Sequence, residues 1–412
     1  MNQSDRNDRL MKKISERREA EVKKCLESMR SRSDYSPCYD YFLELAANCF
    51  MDEKNLSEKI ARPLVKLLCI QAPIELIHAA GFHPFKVLCG ARFSMPAASH
   101  ALPALMCPML KSVLGSLMIE ADDSKTLWVL PTTCDWVVKF PEMSRNLGTA
   151  LAQLHWMELP HLKDGHKGQE RWLDEVYGLK TFLESHGGVI DRKSLSKSIA
   201  VYQRAWQALA RLAEMRLRGL LSPMWFMLMT NMFFYDTPER WIEAAEKIQA
   251  AAITPIVTAG SARIFLVGSP IFFPNFKIPM LLEEAGLFAA VDDLCSSERI
   301  FPGAVTVDDP SLFGLMNALA QRYHQGCLCP TFIDNDRRVN NILGRKSSAG
   351  FAGVVLHVLK GCHPYDLESC GLEGLLKNNG LRFIRIETDY AQEDDRNLLT
   401  RLEAYRQTLE GI

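Results

Sequence analysis

Gly353-Val-Val-Leu-His-Val-Leu-Lys-Gly-Cys362-His-Pro-Tyr-Asp-Leu-Glu368 is the stretch whose reading decides the fold. Val354 to Leu359 is a β-branched and apolar run, too short to span a bilayer and of the right length for a buried strand. Gly361 breaks the run, and a thiol follows at once. Pro364 suits the first turn of a helix, and Leu367, Glu368, Leu372 and Leu375 continue it. Cys362 is therefore expected just past the carboxyl end of a parallel strand, at a helix N-terminus. Open α/β sheets hold their ligands there, and helix polarity favours a thiolate over a thiol. Leu127-Trp-Val-Leu-Pro-Thr-Thr-Cys134-Asp-Trp136 repeats the arrangement.

Outward from these two stretches the chain alternates strand and helix. Leu64–Cys69 and Phe85–Cys89 read as strands, with Pro73–Gly81 a helix between them that closes on its glycine. Cys107-Pro-Met-Leu-Lys-Ser-Val-Leu-Gly115 begins a helix with a third cysteine immediately before proline. A strand is expected within 150–159. The second half repeats the theme with strands at Arg263–Gly268, Phe288–Val291 and Leu381–Tyr390. The pattern is an α/β fold with two Rossmann-like domains on parallel sheets. The expected divisions are an N-terminal helical segment (1–60), a first α/β domain (61–168), a helical connector (169–260) and a second α/β domain (261–412). In the connector Ile199, Tyr202, Trp206, Leu209 and Ala213 make one apolar helical face. The dense aromatic and methionine run from Met224 to Phe234 is expected in a core or interface.

The bounds agree. A chain of 412 residues is too long for one core, and 48% hydrophobic residues exclude general disorder. A formal net charge of −1 gives no electrostatic case for nucleic acid or an anionic membrane. The first ten residues contain no apolar signal core, and no stretch is long and apolar enough for a membrane span, so a cytoplasmic location is expected. The single Gly268 falls far short of a dinucleotide fingerprint.

Twelve cysteines in a reducing compartment point to metal or catalysis rather than disulfides. Cys25, Cys38, Cys49 and Cys295 lack a Gly/Pro-rich strand-end context and read as buried hydrophobes, as does Cys370. Cys107, Cys134 and Cys362 share the strand-end or helix-start context. Three thiolates converging from two domains suit a [4Fe–4S] cluster that leaves one iron for another ligand. Buried thiols and zinc stand as the alternatives, although the paired C-x₂₋₄-C spacing of zinc sites is missing.

Several motifs occur together: Cys69-x₃-Pro73-Ile-Glu-Leu-Ile-His-Ala-Ala-Gly81, Cys107-Pro-x₂-Lys111-Ser-x₂-Gly115, Thr132-Thr-Cys134-Asp135, Gly361-Cys362-x₂-Tyr365, Glu387-Thr-Asp389-Tyr390 and Thr400-Arg-Leu-Glu-Ala404. In this order they resemble the 2-hydroxyacyl-CoA dehydratase / benzoyl-CoA reductase family over residues 60 to 410. The resemblance implies two flavodoxin-like domains with a cluster between them, held here by Cys107, Cys134 and Cys362. It also implies a dimer, either homodimer or heterodimer, and an ATP-hydrolysing iron–sulfur activator that delivers single low-potential electrons. One branch makes a ketyl radical from a CoA thioester or dearomatises a ring. A second branch, the double-cubane cluster proteins, carries an [8Fe–9S] cluster on six cysteines per subunit and reduces small molecules. Cys69, Cys89, Cys327 and Cys329 are candidate ligands of that second cubane. A subunit that only transfers electrons is the non-catalytic alternative.

Other residues carry weaker signals. Glu75 and His78 share a helical face at i, i+3 and are candidate acid–base groups, beside surface or capping roles. His363 adjoins Cys362 and could move a proton or hydrogen-bond a sulfide. Lys111 and Arg337 could offset cluster or phosphate charge, and Glu387 and Asp389 end a strand.

Overall fold

The computed structural model describes residues 3–409 apart from 52, 121–123, 150, 164–165, 252–260, 302 and 334–335. Three helices come first: α1 (Gln3–Arg30), α2 (Asp40–Met51) and α3 (Glu53–Ile60). The first sheet is built from β1 (Leu64–Leu67), α4 (Ile74–Ala79), β2 (His83–Lys86), α5 (Met95–Ser99), α6 (Pro108–Ile119), β3 (Leu127–Pro131), α7 (Asp135–Asn146) and β4 (Gln153–Met157). Its strand order is β2-β1-β3-β4, and every pairing is parallel.

Four helices intervene: α8 (His166–Ser185), α9 (Arg192–Leu217), α10 (Pro223–Asn231) and α11 (Pro238–Ala250). The last residues of the expected connector, 252–260, lie outside the described residues. The second sheet then follows from β5 (Ala262–Gly268), α12 (Lys277–Glu284), β6 (Leu287–Asp293), α13 (Leu312–Gly326), α14 (Asp336–Ala349), β7 (Gly353–Leu359), α15 (His363–Asn378), β8 (Arg382–Thr388) and α16 (Asp395–Leu409). Its order, β6-β5-β7-β8, repeats that of the first sheet and is again all parallel. Two flavodoxin-like parallel sheets are therefore present, as the strand–helix alternation and the resemblance implied.

Local chemistry explains the elements. All seven residues of β7 are buried, because β5 and β8 flank it and helices cover both faces, so its apolar run need not alternate. α9 starts with a reciprocal cap: Asp191 Oδ1 accepts from the Ser194 amide at 2.7 Å, and Ser194 Oγ accepts from the Asp191 amide at 3.0 Å. The inner face of α9 runs through Leu195, Ile199, Tyr202, Ala205, Leu209 and Leu212, with Trp206 and Ala213 only half-buried at its margin. β2 is shorter and earlier than expected. Its ladder ends at Leu67↔Lys86 because β1 stops there, which leaves Cys89 three residues beyond the strand.

The methionine-rich helix α10 is buried along its whole length, with Trp225 stacked 4.2 Å from Tyr39. One apolar cluster runs from Val65 and Leu67 of β1 through Trp225–Met229 to Ile264 and Leu266 of β5. The connecting helices thus supply a core common to both sheets and fix the strand ends of one against those of the other.

Candidate functional site

In each sheet the strand order reverses direction between the first and third strands, β1/β3 and β5/β7. Ligands of open α/β sheets bind beyond the carboxyl ends at such a switch point. Cys134 follows β3 by three residues and Cys362 follows β7 by three. Each is the N-cap of the next helix, α7 and α15, and Cys107 is the N-cap of α6.

Three loops meet at these caps. Trp136 Nε1 donates to the Gly361 carbonyl at 2.9 Å, tying the start of α7 to the turn before α15. Gly361 has φ +77°, and a Cβ there would overlap the Leu105 carbonyl two residues before Cys107. Cys107, Leu359 and Tyr390 form a buried apolar cluster with Met95, Met109, Trp136 and Cys362 packed against it. Burial pushes the Cys107 thiol up to about 12, and the Cys134 side chain adds to the shift. Cys362 is raised by burial and then by Cys107 and Cys134, while Ser269 pulls the other way. Cys134 is likewise raised by burial, against the pull of the Val137 and Trp136 amides. The three thiols lie within electrostatic reach of one another.

A second group adjoins the first. Cys69 follows β1 by two residues, Cys89 follows β2, and Cys327 and Cys329 leave the end of α13. Burial raises Cys69 to about 12, with Cys295 and Cys327 adding to it. It raises Cys89 to about 12 as well, with Cys295 and then Cys107 adding, so Cys89 links the two groups. Cys327 and Cys329 are also raised by burial, opposed in both cases by the Arg299 guanidinium. Arg299 Nη2 donates to the Tyr365 hydroxyl at 2.6 Å, and its Nε stands 2.8 Å from Asp293 Oδ1. Lys163 Nζ donates to the Cys327 carbonyl. Ile70, Gln71, Arg299, Tyr323, Gly326 and Cys327 line a small cavity of about 10 Å³.

Cys295 packs against the main apolar cluster, as its sequence context suggested, but it also follows β6 by two residues and shares the field of Cys69, Cys89, Cys327 and Arg299. Its strand end lacks glycine and proline, the signal that marked the others. Distance from the end of the strand would have found it.

Residues 69–409 match the family described as 2-hydroxyglutaryl-CoA dehydratase, D-component. The chain belongs to this family. It is similar to the Escherichia coli (strain K12) protein named "Putative dehydratase subunit YjiM", at 26% identity over an alignment of 393 residues that covers 92% of this chain and 99% of that protein. It is also similar to the lactoyl-CoA dehydratase subunit beta of Anaerotignum propionicum, at 20% identity over 371 residues, 89% of this chain and 97% of that one. The family span begins at Cys69 and includes every cysteine of both groups.

The remaining candidates fall in different places. Glu75 is fully buried, with Oε1 2.5 Å from Arg322 Nη1 and Oε2 accepting from the Tyr323 hydroxyl at 2.8 Å. His78 turns to α9, where Nδ1 meets Ser198 Oγ at 3.0 Å and the ring lies edge-on to Tyr202. Burial lowers its pKa to about 3. The shared helical face of Glu75 and His78 therefore packs on α13 and α9, and neither side chain reaches the helix-cap cysteines. His363 is exposed, its ring 5.8 Å from Trp136. Lys111 is buried and donates to the Ala104 carbonyl at 2.6 Å, with Cys107 in its field. Arg337 is exposed and bonds Gln325 Oε1 at 2.6 Å. Glu387 pairs with Arg385 at 2.8 Å and Asp389 with Lys360 at 3.0 Å, both near the surface. Cys370, expected in the core, is exposed, because α15 buries Tyr365, Ser369, Leu372 and Leu376 instead. Among the described residues no helix is long and apolar enough to cross a membrane.

Proposed function

We propose that the protein is an iron–sulfur subunit of the 2-hydroxyacyl-CoA dehydratase type, receiving single low-potential electrons from an ATP-hydrolysing activator to dehydrate or reduce an acyl-CoA. The observation that carries this reading is the meeting of three helix-cap cysteines, Cys134 and Cys362 at the switch points of two parallel sheets and Cys107 at the start of α6. The relative named as a lactoyl-CoA dehydratase subunit supports a 2-hydroxyacyl thioester as substrate.

Three cysteines without a nitrogen ligand are the donor set of an iron–sulfur cluster; among the described residues no three His, Cys, Asp or Glu side chains stand gathered as for a metal ion. Such a cluster, when bound, supplies one-electron transfer and, with three cysteine ligands, an iron open to another ligand.

This chain's own residues would do the rest. Cys107, Cys134 and Cys362 would hold the cluster, with three helix N-termini favouring its negative charge. Leu359, Met95, Met109 and Tyr390 keep water from it, and the buried Lys111 ammonium offsets charge near Cys107. Because burial keeps all three thiols protonated at neutral pH, loading must release protons.

A second reading is favoured by the second cysteine group. Cys69, Cys89, Cys295, Cys327 and Cys329 adjoin the first three, enough for the six ligands of a double-cubane [8Fe–9S] cluster in a homodimer that reduces small molecules. Iron and acid-labile sulfide per subunit, measured on anaerobically purified protein together with oligomer mass, decide between them. About four irons in a chain needing a related partner subunit support the acyl-CoA reading. About eight irons in a stable homodimer support the double cubane. Zinc, or no metal under strict anaerobiosis, refutes both.

A further inference from the structure

Tyr390 closes the loop after β8, and its phenol is buried. Among the described residues its hydroxyl has no hydrogen-bond partner. The ring packs with Cys107 and Leu359, beside Trp136 and Cys362, and Cys89, Cys107 and Cys362 all lie within its electrostatic reach. It therefore stands where the two cysteine groups adjoin. A buried hydroxyl left unpaired is costly, so a group in this position calls for an acceptor.

The polar groups described near Tyr390 are engaged elsewhere. Glu21, a carboxylate in its field, accepts from the amides of Arg92 and Phe93 at 3.1 and 3.2 Å. The neighbouring indole N–H of Trp136 is spent on the Gly361 carbonyl. Nor can the phenol swing away easily, because its loop is pinned on both sides. Lys277 Nζ donates to Thr388 Oγ1 at 2.8 Å and to the Ala391 carbonyl at 2.5 Å, and Thr388 Oγ1 donates to Asp394 at 2.7 Å. Asn275 Nδ2 donates to the Tyr390 carbonyl at 3.4 Å. The hydroxyl is held in place with an O–H to give and the thiols of Cys107 and Cys362 beside it.

We propose that Tyr390 donates a hydrogen bond to a sulfur of the iron–sulfur group that Cys107, Cys134 and Cys362 hold, and so makes that group easier to reduce. The inference rests on the iron–sulfur reading above. A donor aimed at cluster sulfur stabilises the extra negative charge of the reduced state, which raises the potential. Removing it makes reduction harder.

The test uses the full chain, loaded with iron and sulfide under anaerobic conditions, as wild type and Tyr390→Phe. A potentiometric titration followed by electron paramagnetic resonance should give a more negative midpoint for the variant at unchanged iron and sulfide content. A tenfold loss in the one-electron reduction constant corresponds to about 59 mV. Hyperfine spectra after exchange into D₂O should show an exchangeable proton coupled to the cluster in wild type and not in Y390F. An unmoved midpoint, or the same exchangeable proton in both proteins, overturns the proposal. If Y390F does not load, 3-fluorotyrosine placed at position 390 is the substitute, since its hydroxyl is the stronger donor and must raise the midpoint; no rise overturns the assignment. A wild-type chain that takes up no cluster defeats the iron–sulfur reading itself, whereas a loaded wild type with an indifferent position 390 defeats only the role of Tyr390.

Discussion

Arg322→Met should destabilise the protein strongly without touching the helix-cap cysteines. Glu75 lies on α4, just after Cys69, and Arg322 on α13, just before Cys327, so their pair joins the two segments that flank the second cysteine group. The Glu75 side chain is fully buried and that of Arg322 is 7% exposed. Removing one partner of a buried pair costs about 3–5 kcal/mol, because the other charge stays desolvated. Tyr323 still donates to Glu75 Oε2, which places the expected loss toward the lower figure, about 3 kcal/mol. Against a typical total of about 5–15 kcal/mol, that is a large fraction. Urea unfolding monitored by far-ultraviolet circular dichroism reads it as a clearly lower midpoint. The double variant Glu75→Leu/Arg322→Met should recover most of the loss, because no buried charge remains and Tyr323 keeps its bond from the Ile74 amide at 3.1 Å. An R322M midpoint equal to wild type, or a double variant as unstable as the single one, refutes the assignment of Glu75 to structure and reopens an acid–base role for it.

Gly361→Ala should block the meeting of the three helix caps, since φ is +77° and the new methyl overlaps the Leu105 carbonyl; iron bound per subunit should fall well below wild type, and full loading would contradict the geometry. Trp136→Phe removes the bond to the Gly361 carbonyl and should cost about 1 kcal/mol, read as a modest drop in urea midpoint. Cys295→Ser should lower iron content if the second group holds metal, and leave it unchanged if only Cys107, Cys134 and Cys362 do. Stability should also fall in acid. His83 and His357 are kept neutral by burial, with pKa values lowered from 6.5 to about 4. The unfolded chain takes up protons below pH 6.5 that the folded one refuses until about 4. Their contribution is therefore complete above 6.5 and lost between 6.5 and 4, at up to about 1.4 kcal/mol per pH unit for each histidine. A urea midpoint that stays flat from pH 7.5 to 5 would disprove it.

Much of this arrangement is legible in the chain because the signals are local. A β-branched run followed by glycine and then by cysteine before a proline-started helix specifies strand, turn and cap in about a dozen residues, as Val354–Leu359, Gly361, Cys362 and Pro364 do. Cys295 escaped because Asp292 and Asp293 end its strand without glycine or proline, and what commits those carboxylates is distant. Asp292 meets Arg216 of α9 at 2.5 Å and Asp293 meets Arg338 of α14 at 2.9 Å. The i, i+3 spacing of Glu75 and His78 correctly gives a common helical side, but not what packs on it. That depends on α9 and α13, more than a hundred residues downstream. Cys370 shows the same limit at smaller scale. It is one position from Ser369, which is buried, and a helix rotates by about 100° per residue, enough to turn a core position into a solvent one.

The two sheets have the same strand order, so their strand ends can be compared one by one. β3 and β7 are each followed at three residues by a helix-cap cysteine, Cys134 and Cys362, and β2 and β6 by Cys89 and Cys295. The correspondence breaks at β1 and β5, where Cys69 stands two residues past β1 and the first two residues past β5 are Ser269 and Pro270. Ser269 Oγ is already engaged, accepting from the Leu359 amide at 3.0 Å and lying against Cys362. A thiol there would be held by β7 rather than free to face the cleft. The missing sulfur on that side is compensated by Cys327 and Cys329 at the end of α13, where Arg299 offsets their charge. Six strand ends arranged in two similar halves thus give an asymmetric result, one group of three cap cysteines and one group of five cysteines with a buried guanidinium beside it. One repeated topology thus places its cysteines unequally in the two halves, with Tyr390 standing where the two groups adjoin.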